Sequence, residues 1–407
     1  MLKCGLLGEK LGHSYSPAIH AMLGEYEYKL YERQADELPD FLLHGDWDGL
    51  NVTIPYKKTV LPYCAELSER ARRIGSVNTL VRRPDGSLYG DNTDAYGFEK
   101  LIQRAGIPVQ GKKALVLGSG GASVMACEVL RELGARQVVV ISRNGEDNYD
   151  NLDRHGDAEL IINTTPLGMY PKNGVAAVDL RHFPDCEGVL DVVYNPARTA
   201  LILQAEELGI PCDSGLFMLV GQAKRSSEQF QNREIPDSEI ERIQAALSAG
   251  MQNIILIGMP GCGKSTVASA LGEKTGRPVY EADAIVEERA GCSIPEIFAR
   301  GGEADFRRRE HEVLKDLGKL SGVIVSTGGG CVTREENYNL LHQNGRIFWL
   351  QRETGKLEKA GRPISMKSDL NQLYEKRKPL YEAFADRVIS NDGAIEETVE
   401  QILEGMK

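Results

Sequence analysis

This sequence lacks an excess of positive charge and has no closely spaced pair of cysteines. Its 407 residues include 48 Lys and Arg against 59 Asp and Glu, which gives a net charge of −11. Proteins that bind nucleic acid need a basic stripe, so this composition argues against a nucleic-acid partner. The eight cysteines include no Cys-x-x-Cys pair, and their spacing suits neither a zinc site nor the disulfide framework of a small secreted domain. We therefore expect reduced thiols.

Long apolar runs are also missing. No stretch approaches the roughly 20 residues that cross a membrane, and the apolar part of the N-terminus is too short for a secretory signal. We therefore expect a cytoplasmic protein without a membrane partner. The length predicts two or three domains, each large enough for its own core, whereas the oligomeric state does not follow from the sequence.

A glycine-rich loop in the second half of the chain has the pattern of a phosphate-binding loop. It follows the apolar run 253–257 and precedes an alanine-rich helical stretch. In this setting the backbone N–H groups surround phosphates, Lys264 supplies a mobile positive charge and Ser265 can hold Mg²⁺. The residues that we expect to bind the nucleotide are Gly258, Gly261, Cys262, Gly263, Lys264, Ser265 and Thr266.

Charged residues follow this loop in two groups. Residues 279–283 are predicted to form a strand that places the carboxylates of Glu281 and Asp283 on the same side. One of these carboxylates would serve the metal shell and the other a substrate hydroxyl. Arg307 and Glu310 lie three residues apart, so they share one face of a predicted helix.

A run of three glycines after a third predicted strand offers bare backbone against which a flat ring can lie. Together, the motifs from 251 to about 405 resemble those of shikimate kinases, which implies a P-loop kinase fold with a parallel sheet over 251–407 and the cofactors ATP and Mg²⁺. The resemblance makes Asp283 the base and a ligand of the substrate hydroxyls, and it uses Lys264 and Arg362 to neutralise the transferred phosphoryl group. The other residues that it assigns to shikimate are Arg307, Glu310, Gly328, Gly329, Gly330 and Arg377. Glu281 stands where aspartate is usual, and we expect it to reach the metal through water.

Polar residues cluster near short apolar runs in the first 105 residues. Ser14 and Ser16 alternate ahead of a proline, and they fit either a polyhydroxylated ligand or a helix N-cap. Further polar clusters of this kind contain Thr53, Lys57, Asn78 and Asp94. The ends of strands are where α/β sheets build their ligand crevices, so these segments predict a substrate site.

These segments, in this order, resemble the substrate domain of shikimate dehydrogenases. The resemblance implies that Lys57 and Asp94 form the catalytic pair, which suits a ketone reduction because the oxygen needs a proton as hydride reaches the carbon. The residues that it places at shikimate are Ser14, Ser16, Thr53, Asn78, Asp94, Tyr194 and Gln222. Residues 1–105 would form this α/β domain, completed by helices from 215–248.

A second glycine-rich turn follows a predicted strand at 113–117 and precedes a helical run. It predicts a Rossmann-like domain, which we place at 106–214. The residues expected at its cofactor are Gly118, Gly120, Gly121, Ala122, Ser142 and Arg143. The last two stand where an NAD enzyme has an acidic residue, so they favour the 2′-phosphate of NADP(H), although Arg143 also fits as the cap of a strand end. The short polar stretch 144–159 predicts that one helix is missing here.

The leading hypothesis is a bifunctional enzyme with small-molecule substrates. It reduces 3-dehydroshikimate to shikimate with NADPH, and it phosphorylates the 3-hydroxyl of shikimate with ATP. One alternative keeps both folds and shifts the substrate of the first half to quinate. Another alternative retains one half only as a binding or regulatory module, which a missing catalytic residue would favour.

Overall fold

The computed structural model describes residues 1–12, 14–357 and 370–406. The chain divides into two compact units. The first consists of Met1–Gly168, Val175–Tyr194 and Leu201–Ala246, and the second of Met169–Gly174, Asn195–Ala200 and Leu247–Lys407. No helix within the described ranges is both long enough and apolar enough to cross a membrane. Arg362, which the sequence predicts at the phosphoryl group, lies outside the described residues.

A mixed six-stranded sheet begins the first unit. Its strands are β1 (Lys3–Gly8), β2 (Glu27–Glu32), β3 (Gly49–Val52), β4 (Glu66–Leu67), β5 (Thr79–Arg82) and β6 (Leu88–Asp91). Their order is β2-β1-β3-β5-β6-β4, with β1 parallel to β2 and β3, and β5 antiparallel to β3 and β6. The helices of this part are α1 (Ser16–Leu23), α2 (Leu38–His44), α3 (Glu69–Ile74) and α4 (Thr93–Ala105).

A five-stranded parallel sheet forms the remainder of the first unit. Its strands are β7 (Lys113–Leu117), β8 (Gln137–Ile141), β9 (Leu160–Asn163), β10 (Gly188–Asp191) and β11 (Cys212–Ser214). Their order is β11-β10-β9-β7-β8, and the fully buried residues of β7, β9 and β10 are typical of a parallel sheet covered on both faces. The accompanying helices are α5 (Gly121–Glu132) and α6 (Ala200–Glu207). Between β8 and β9 the chain forms a single 3₁₀ turn, Leu152–His155, in place of an α-helix, which confirms the prediction for this stretch.

Two long helices, α7 (Leu216–Gln231) and α8 (Ser238–Met251), follow β11. Helix α7 packs against α4 at two glycines, where the Cα of Gly97 lies 3.2 Å from the position that a Cβ on Gly221 would take. This close approach positions the first turn of α4 beside α7. Helix α8 runs to Met251, two residues before β12 begins.

The second unit contains a five-stranded sheet in which all strands are parallel. Its strands are β12 (Asn253–Ile257), β13 (Val279–Glu281), β14 (Ile324–Ser326), β15 (Gly345–Gln351) and β16 (Arg387–Ser390), in the order β13-β14-β12-β15-β16. The helices are α9 (Lys264–Thr275), α10 (Ala282–Ala290), α11 (Ile294–Leu317, interrupted at Gly302), α12 (Asn337–His342), α13 (Leu370–Phe384) and α14 (Ile395–Gly405). The three sheets confirm the predicted α/β class.

One predicted strand ends two residues earlier than expected. The strand expected over 279–283 stops at Glu281, and Asp283 lies in the first turn of α10. Alternation along a strand therefore does not place the two carboxylates on one side. Instead, Glu281 is the N-cap residue of α10, and the turn of the helix carries Asp283 inward.

Candidate active sites

A lysine and a carboxylate meet at the edge of the mixed sheet. Lys57 lies in the turns after β3, and Asp94 lies in the first turn of α4. The Nζ of Lys57 lies 2.5 Å from Oδ2 of Asp94, and the two side chains are 29% and 19% exposed. The pair is thus shielded enough for a strong charged hydrogen bond and open enough to exchange protons with water.

Asn78 and Gln222 extend this pair. The Nδ2 of Asn78 donates to Oδ1 of Asp94 at 2.9 Å and lies 3.4 Å from Oε1 of Gln222 on α7. The Oδ1 of Asn78 accepts from the backbone N–H of Thr93 at 2.7 Å, which fixes the orientation of the amide. Four predicted site residues, from four distant segments, therefore lie together.

A buried group of polar side chains supports this site, and the sequence reasoning missed it. The hydroxyl of Ser226 lies 2.8 Å from that of Thr79 and 2.9 Å from that of Thr93, and it accepts from Nδ2 of Asn51 at 2.8 Å. The signals in the sequence are faint. Ser226 stands one helical turn after Gln222, and Asn51 stands two residues before Thr53.

Ser14 and Ser16 precede α1, and the hydroxyl of Ser14 accepts a 3.2 Å hydrogen bond from the backbone N–H of Ser16. The intervening Tyr15 packs its ring edge-on against Tyr194, with centroids 6.0 Å apart. Burial raises the pKa of Tyr194 above its ordinary value. Within the described ranges, no hydrogen bond joins Ser14 or Ser16 to the Lys57–Asp94 pair, and the tyrosine contact brings this segment to the residues that follow β10.

Thr53 also lies at a strand end. Its backbone N–H donates to the carbonyl oxygen of Leu7 at 2.9 Å, which continues the pairing of β3 with β1. Its Cγ2 lies 2.8 Å from the position that a Cβ on Gly8 would take. Thr53 thus stands beside the carboxyl end of β1, and its hydroxyl makes no hydrogen bond to another described residue.

The glycine-rich turn after β7 confirms the predicted strand, turn and helix. Gly118 has φ +108, and a Cβ there would lie 2.9 Å from Cγ2 of Thr165, so the position requires glycine. At Gly120 and Gly121 a Cβ would meet nothing within 4 Å. The turn is therefore open at the N-terminus of α5, where backbone N–H groups attract anions.

Ser142 and Arg143 follow β8. The backbone N–H of Ser142 donates to the carbonyl oxygen of Asp147 at 3.2 Å. The side chain of Arg143 is exposed, and among the described residues none accepts a hydrogen bond from its guanidinium. A role as a strand cap is therefore unsupported, and the guanidinium is available to an anion.

In the second unit, the predicted phosphate-binding loop lies between β12 and α9. The Nζ of Lys264 donates to the carbonyl oxygens of Gly258 and Met259 at 3.0 and 3.1 Å. Gly261 and Gly263 have φ of +85 and +96, which favours glycine at both positions. A residue that the sequence reasoning missed secures the loop, because Nδ2 of Asn391 donates to the carbonyl oxygen of Cys262 at 2.7 Å.

Ser265 and Glu281 form a pair of oxygen donors beside the loop. The hydroxyl of Ser265 donates to Oε2 of Glu281 at 3.0 Å. A hydroxyl and a carboxylate are oxygen ligands of the kind that Mg²⁺ prefers, so Ser265 and Glu281 would hold the ion, the carboxylate through water as expected from the sequence. The predicted metal residues thus lie together, in an arrangement that fits the ion.

The carboxylates of Asp283 and Glu310 both lie close against the backbone of Gly328. A Cβ on Gly328 would lie 2.4 Å from Oε1 of Glu310 and 2.6 Å from Oδ1 of Asp283. Both oxygens are buried and have no hydrogen-bond partner among the described residues. Burial raises the pKa of Asp283, although Lys264 and Arg307 oppose the rise. Burial likewise raises the pKa of Glu310 against the opposing charge of Arg307.

Arg307 lies on the other side of the same carboxylate. Its Nη1 donates to Oε2 of Glu310 at 2.6 Å, as expected for two residues on one helical face. A Cβ on Gly330 would lie 1.9 Å from Nη2 of Arg307. The carbonyl oxygen of Gly329 accepts from Nη1 of Arg377 at 3.0 Å. The glycines therefore let charged side chains approach the backbone closely, a role that the sequence reasoning did not foresee.

Two family profiles match this chain. Residues 6–80 match the profile described as the shikimate dehydrogenase substrate binding domain, and residues 260–407 match the profile described as shikimate kinase. The shikimate dehydrogenase (NADP(+)) of Clostridium perfringens (strain SM101 / Type A) is 36% identical to this chain over 264 residues. That match covers 60% of this chain and 97% of the relative.

Solved structures are similar to the same part of the chain. Shikimate 5-dehydrogenase from Thermus thermophilus, in complex with NADP(H) and shikimate, is 30% identical with a TM-score of 0.55, and the match covers 60% of this chain and 99% of that one. Quinate dehydrogenase from Corynebacterium glutamicum, in complex with NAD, is 26% identical with a TM-score of 0.56, over 60% and 99% of the two chains.

Proposed function

The chain belongs to the shikimate dehydrogenase family and carries a shikimate kinase region over residues 260–407, and from the two sites we infer a bifunctional enzyme of the shikimate pathway. Its first activity is the NADPH-dependent reduction of 3-dehydroshikimate to shikimate. Its second activity is the phosphorylation of shikimate to shikimate 3-phosphate by ATP. One observation carries this proposal. The same chain contains the Lys57–Asp94 pair and a phosphate-binding loop accompanied by the buried carboxylates of Asp283 and Glu310.

In the reductase, Lys57 acts as the proton donor to the carbonyl oxygen of the substrate. Asp94 holds the ammonium in place and accepts a hydrogen bond from the neighbouring substrate hydroxyl. Asn78 and Gln222 bind further hydroxyls of the substrate. Asn78 lies within hydrogen-bond distance of Asp94, and Gln222 lies within hydrogen-bond distance of Asn78. Because the Lys57 side chain is 29% exposed, it recovers its proton from water after each turnover.

The residues around the second sheet fit NADP(H), which supplies the hydride when bound. The open turn at Gly120 and Gly121 gives its backbone N–H groups to the pyrophosphate. The exposed guanidinium of Arg143 donates hydrogen bonds to the 2′-phosphate, with Ser142 beside it. Tyr194 closes on the substrate from the cofactor side, as its contact with Tyr15 suggests. Ser14, Ser16 and Thr53 bind the remaining polar groups of the substrate.

In the kinase, Asp283 takes the proton from the attacking hydroxyl, and Arg307 and Arg377 bind the carboxylate of the substrate. Glu310 orients Arg307 through their 2.6 Å hydrogen bond. Lys264 leaves the carbonyl oxygens of its loop to contact the phosphates of ATP. Ser265 and Glu281 hold Mg²⁺, which neutralises phosphate charge when bound.

One assay tests both activities together. The purified chain receives 3-dehydroshikimate, NADPH, ATP and Mg²⁺, and the expected product is shikimate 3-phosphate. If only one step proceeds, the bifunctional proposal is wrong and the silent half is a binding module. If quinate with NAD exceeds shikimate with NADP in the reverse reaction, the first half is a quinate enzyme.

Two variants assign the activities to their sites. Lys57→Ala should abolish reduction and leave kinase activity intact, because the two sites share no residue. Lys264→Ala should abolish phosphorylation and leave reduction intact. Reduction that survives in Asp94→Ala would refute the assignment of the catalytic pair.

A further inference from the structure

Arg352 lies directly after β15, next to the phosphate-binding loop. Strands β12 and β15 are parallel neighbours, so their carboxyl ends meet at the same edge of the sheet. The carbonyl oxygen of Leu350 lies 2.6 Å from the position that a Cβ on Gly258 would take. The chain that carries Arg352 therefore runs in contact with the first residue of the loop.

The guanidinium of Arg352 reaches the other end of this loop. Its Nη1 lies 3.7 Å from the position that a Cβ on Gly263 would take. Gly263 is the N-cap residue of α9, a helix of 12 residues. Lys264, the next residue, points its ammonium away from this end, towards the carbonyl oxygens of Gly258 and Met259.

Among the residues that the structure describes, the Arg352 guanidinium has no hydrogen-bond partner. Its Nε is buried without a hydrogen-bond partner, and in the described part of the chain no carboxylate or carbonyl oxygen accepts from its other nitrogens. Two other described arginines of this site are paired, since Arg307 contacts Glu310 and Arg377 contacts Gly329. A buried donor left unpaired is costly, so Arg352 is prepared for an acceptor that arrives with a ligand.

The neighbouring amide cannot serve as that acceptor. Nδ2 of Asn391 lies 2.6 Å from the same Cβ position on Gly263, but it donates to the carbonyl oxygen of Cys262, and its Oδ1 accepts from the hydroxyl of Thr398 at 2.9 Å. Asn391 is therefore occupied in holding the loop. Among the described residues at the Gly263 end of the loop, Arg352 is the cation without a hydrogen-bond partner.

We propose that Arg352 binds the α-phosphate of the nucleotide. In a loop of this type the backbone N–H groups hold the α- and β-phosphates, while the lysine reaches the β- and γ-phosphates. A cation over Gly263, at the end opposite to the Lys264 ammonium, is thus placed for the phosphate that the lysine does not reach. This inference rests on the kinase activity proposed above.

The test measures nucleotide binding to the full chain by calorimetry, without Mg²⁺, for Arg352→Met, Arg352→Lys and the wild type. Arg346→Met is the matched control, because Arg346 lies on β15 six residues before Arg352, about 20 Å from it at 3.3 Å per residue. The probes are ADP, AMP and adenosine. Melting temperatures of the ligand-free proteins are measured in parallel.

We expect Arg352→Met to raise the Kd of both ADP and AMP about 10- to 100-fold, the range of a charged hydrogen bond. Arg352→Lys should recover part of this loss, because the charge remains and the planar fork does not. The Kd of adenosine, the melting temperature without ligand and all values for Arg346→Met should stay unchanged.

Three results would overturn the inference. An unchanged Kd for ADP in Arg352→Met would show that the side chain does not contact the nucleotide. An equal loss for adenosine would assign the contact to the base. A lower melting temperature with unchanged ADP binding would reveal an internal ion pair. If the wild type itself does not bind ADP, the proposed kinase function fails along with the inference.

Discussion

The contact between α4 and α7 makes Gly97 a sensitive position in the reductase. A Cβ on Gly97 would lie 2.4 Å from the carbonyl oxygen of Met218 and 2.9 Å from the backbone nitrogen of Gln222. Real Cβ atoms do not come closer than 3.0 Å to such atoms, so Gly97→Ala must separate the two backbones by at least 0.6 Å, the difference between 3.0 and 2.4 Å. Neither neighbour is the flexible end of a side chain.

The separation acts on both sides of the site, since α4 carries Asp94 and α7 carries Gln222. Overpacking of this kind costs about 1–3 kcal/mol, from which the better helix propensity of alanine recovers at most about 1 kcal/mol. A misplacement near 1 Å can reduce a rate about 100-fold. We therefore expect kcat/KM for reduction to fall by about one to two orders of magnitude, while kinase activity stays unchanged.

The assay follows shikimate oxidation and shikimate phosphorylation in one preparation of Gly97→Ala. Gly250→Ala is the control, because this helical glycine has no heavy atom within 4 Å of the added Cβ and should be neutral or stabilising. Wild-type reductase kinetics in Gly97→Ala would refute the claim that the close helix approach positions Asp94 and Gln222. An equal loss of both activities would point to misfolding instead.

Four further outcomes are expected. Ser226→Ala should leave the buried hydroxyls of Thr79 and Thr93 short of a partner and lower the unfolding free energy by about 1–3 kcal/mol in urea, with a loss of reductase but not kinase activity. Arg143→Ala should raise KM for NADPH at least about 10-fold and leave KM for NADH unchanged, because only NADPH has the 2′-phosphate. Glu281→Asp should lower the affinity for Mg²⁺ in titrations of the ADP complex, since a carboxylate drawn back by about 1.5 Å loses its 3.0 Å hydrogen bond from Ser265, which fixes the positions of both groups. Finally, burial raises the pKa of Asp283 above that of an ordinary aspartate, so phosphorylation, which needs the ionised form, should fall with decreasing pH at a pH above that ordinary value. Loss of kcat only below that value would contradict the assignment of Asp283 as the base.

The sequence predicts the motifs whose residues are neighbours in the chain, and it does not predict contacts between residues that are far apart in the chain. The two glycine-rich turns were identifiable because strand, loop and helix follow one another within about 25 residues. Ser226 and Asn51 were not, because they are 175 positions apart in the chain and meet only through the packing of α7. Asp283 lies on a helix and not on the predicted strand for another reason. Two residues of apparent alternation cannot distinguish the end of a strand from the N-cap and first turn of a helix.

The phosphate-binding loop alone indicates only that a nucleotide binds. The two carboxylates beside Gly328 indicate which chemical groups the phosphoryl acceptor carries. Oδ1 of Asp283 and Oε1 of Glu310 are buried acceptors without donors among the described residues, held within 2.6 and 2.4 Å of one point. A ligand whose hydroxyl groups donate hydrogen bonds to these oxygens satisfies both of them, whereas an apolar ring leaves two buried carboxylate oxygens unpaired. An analogue that lacks a hydroxyl which the site is built to bind loses about 10⁴-fold or more in kcat/KM, whereas an analogue that lacks one methylene loses far less. A deoxy analogue of shikimate that retains the carboxylate for Arg307 should therefore be a far poorer substrate than its size suggests.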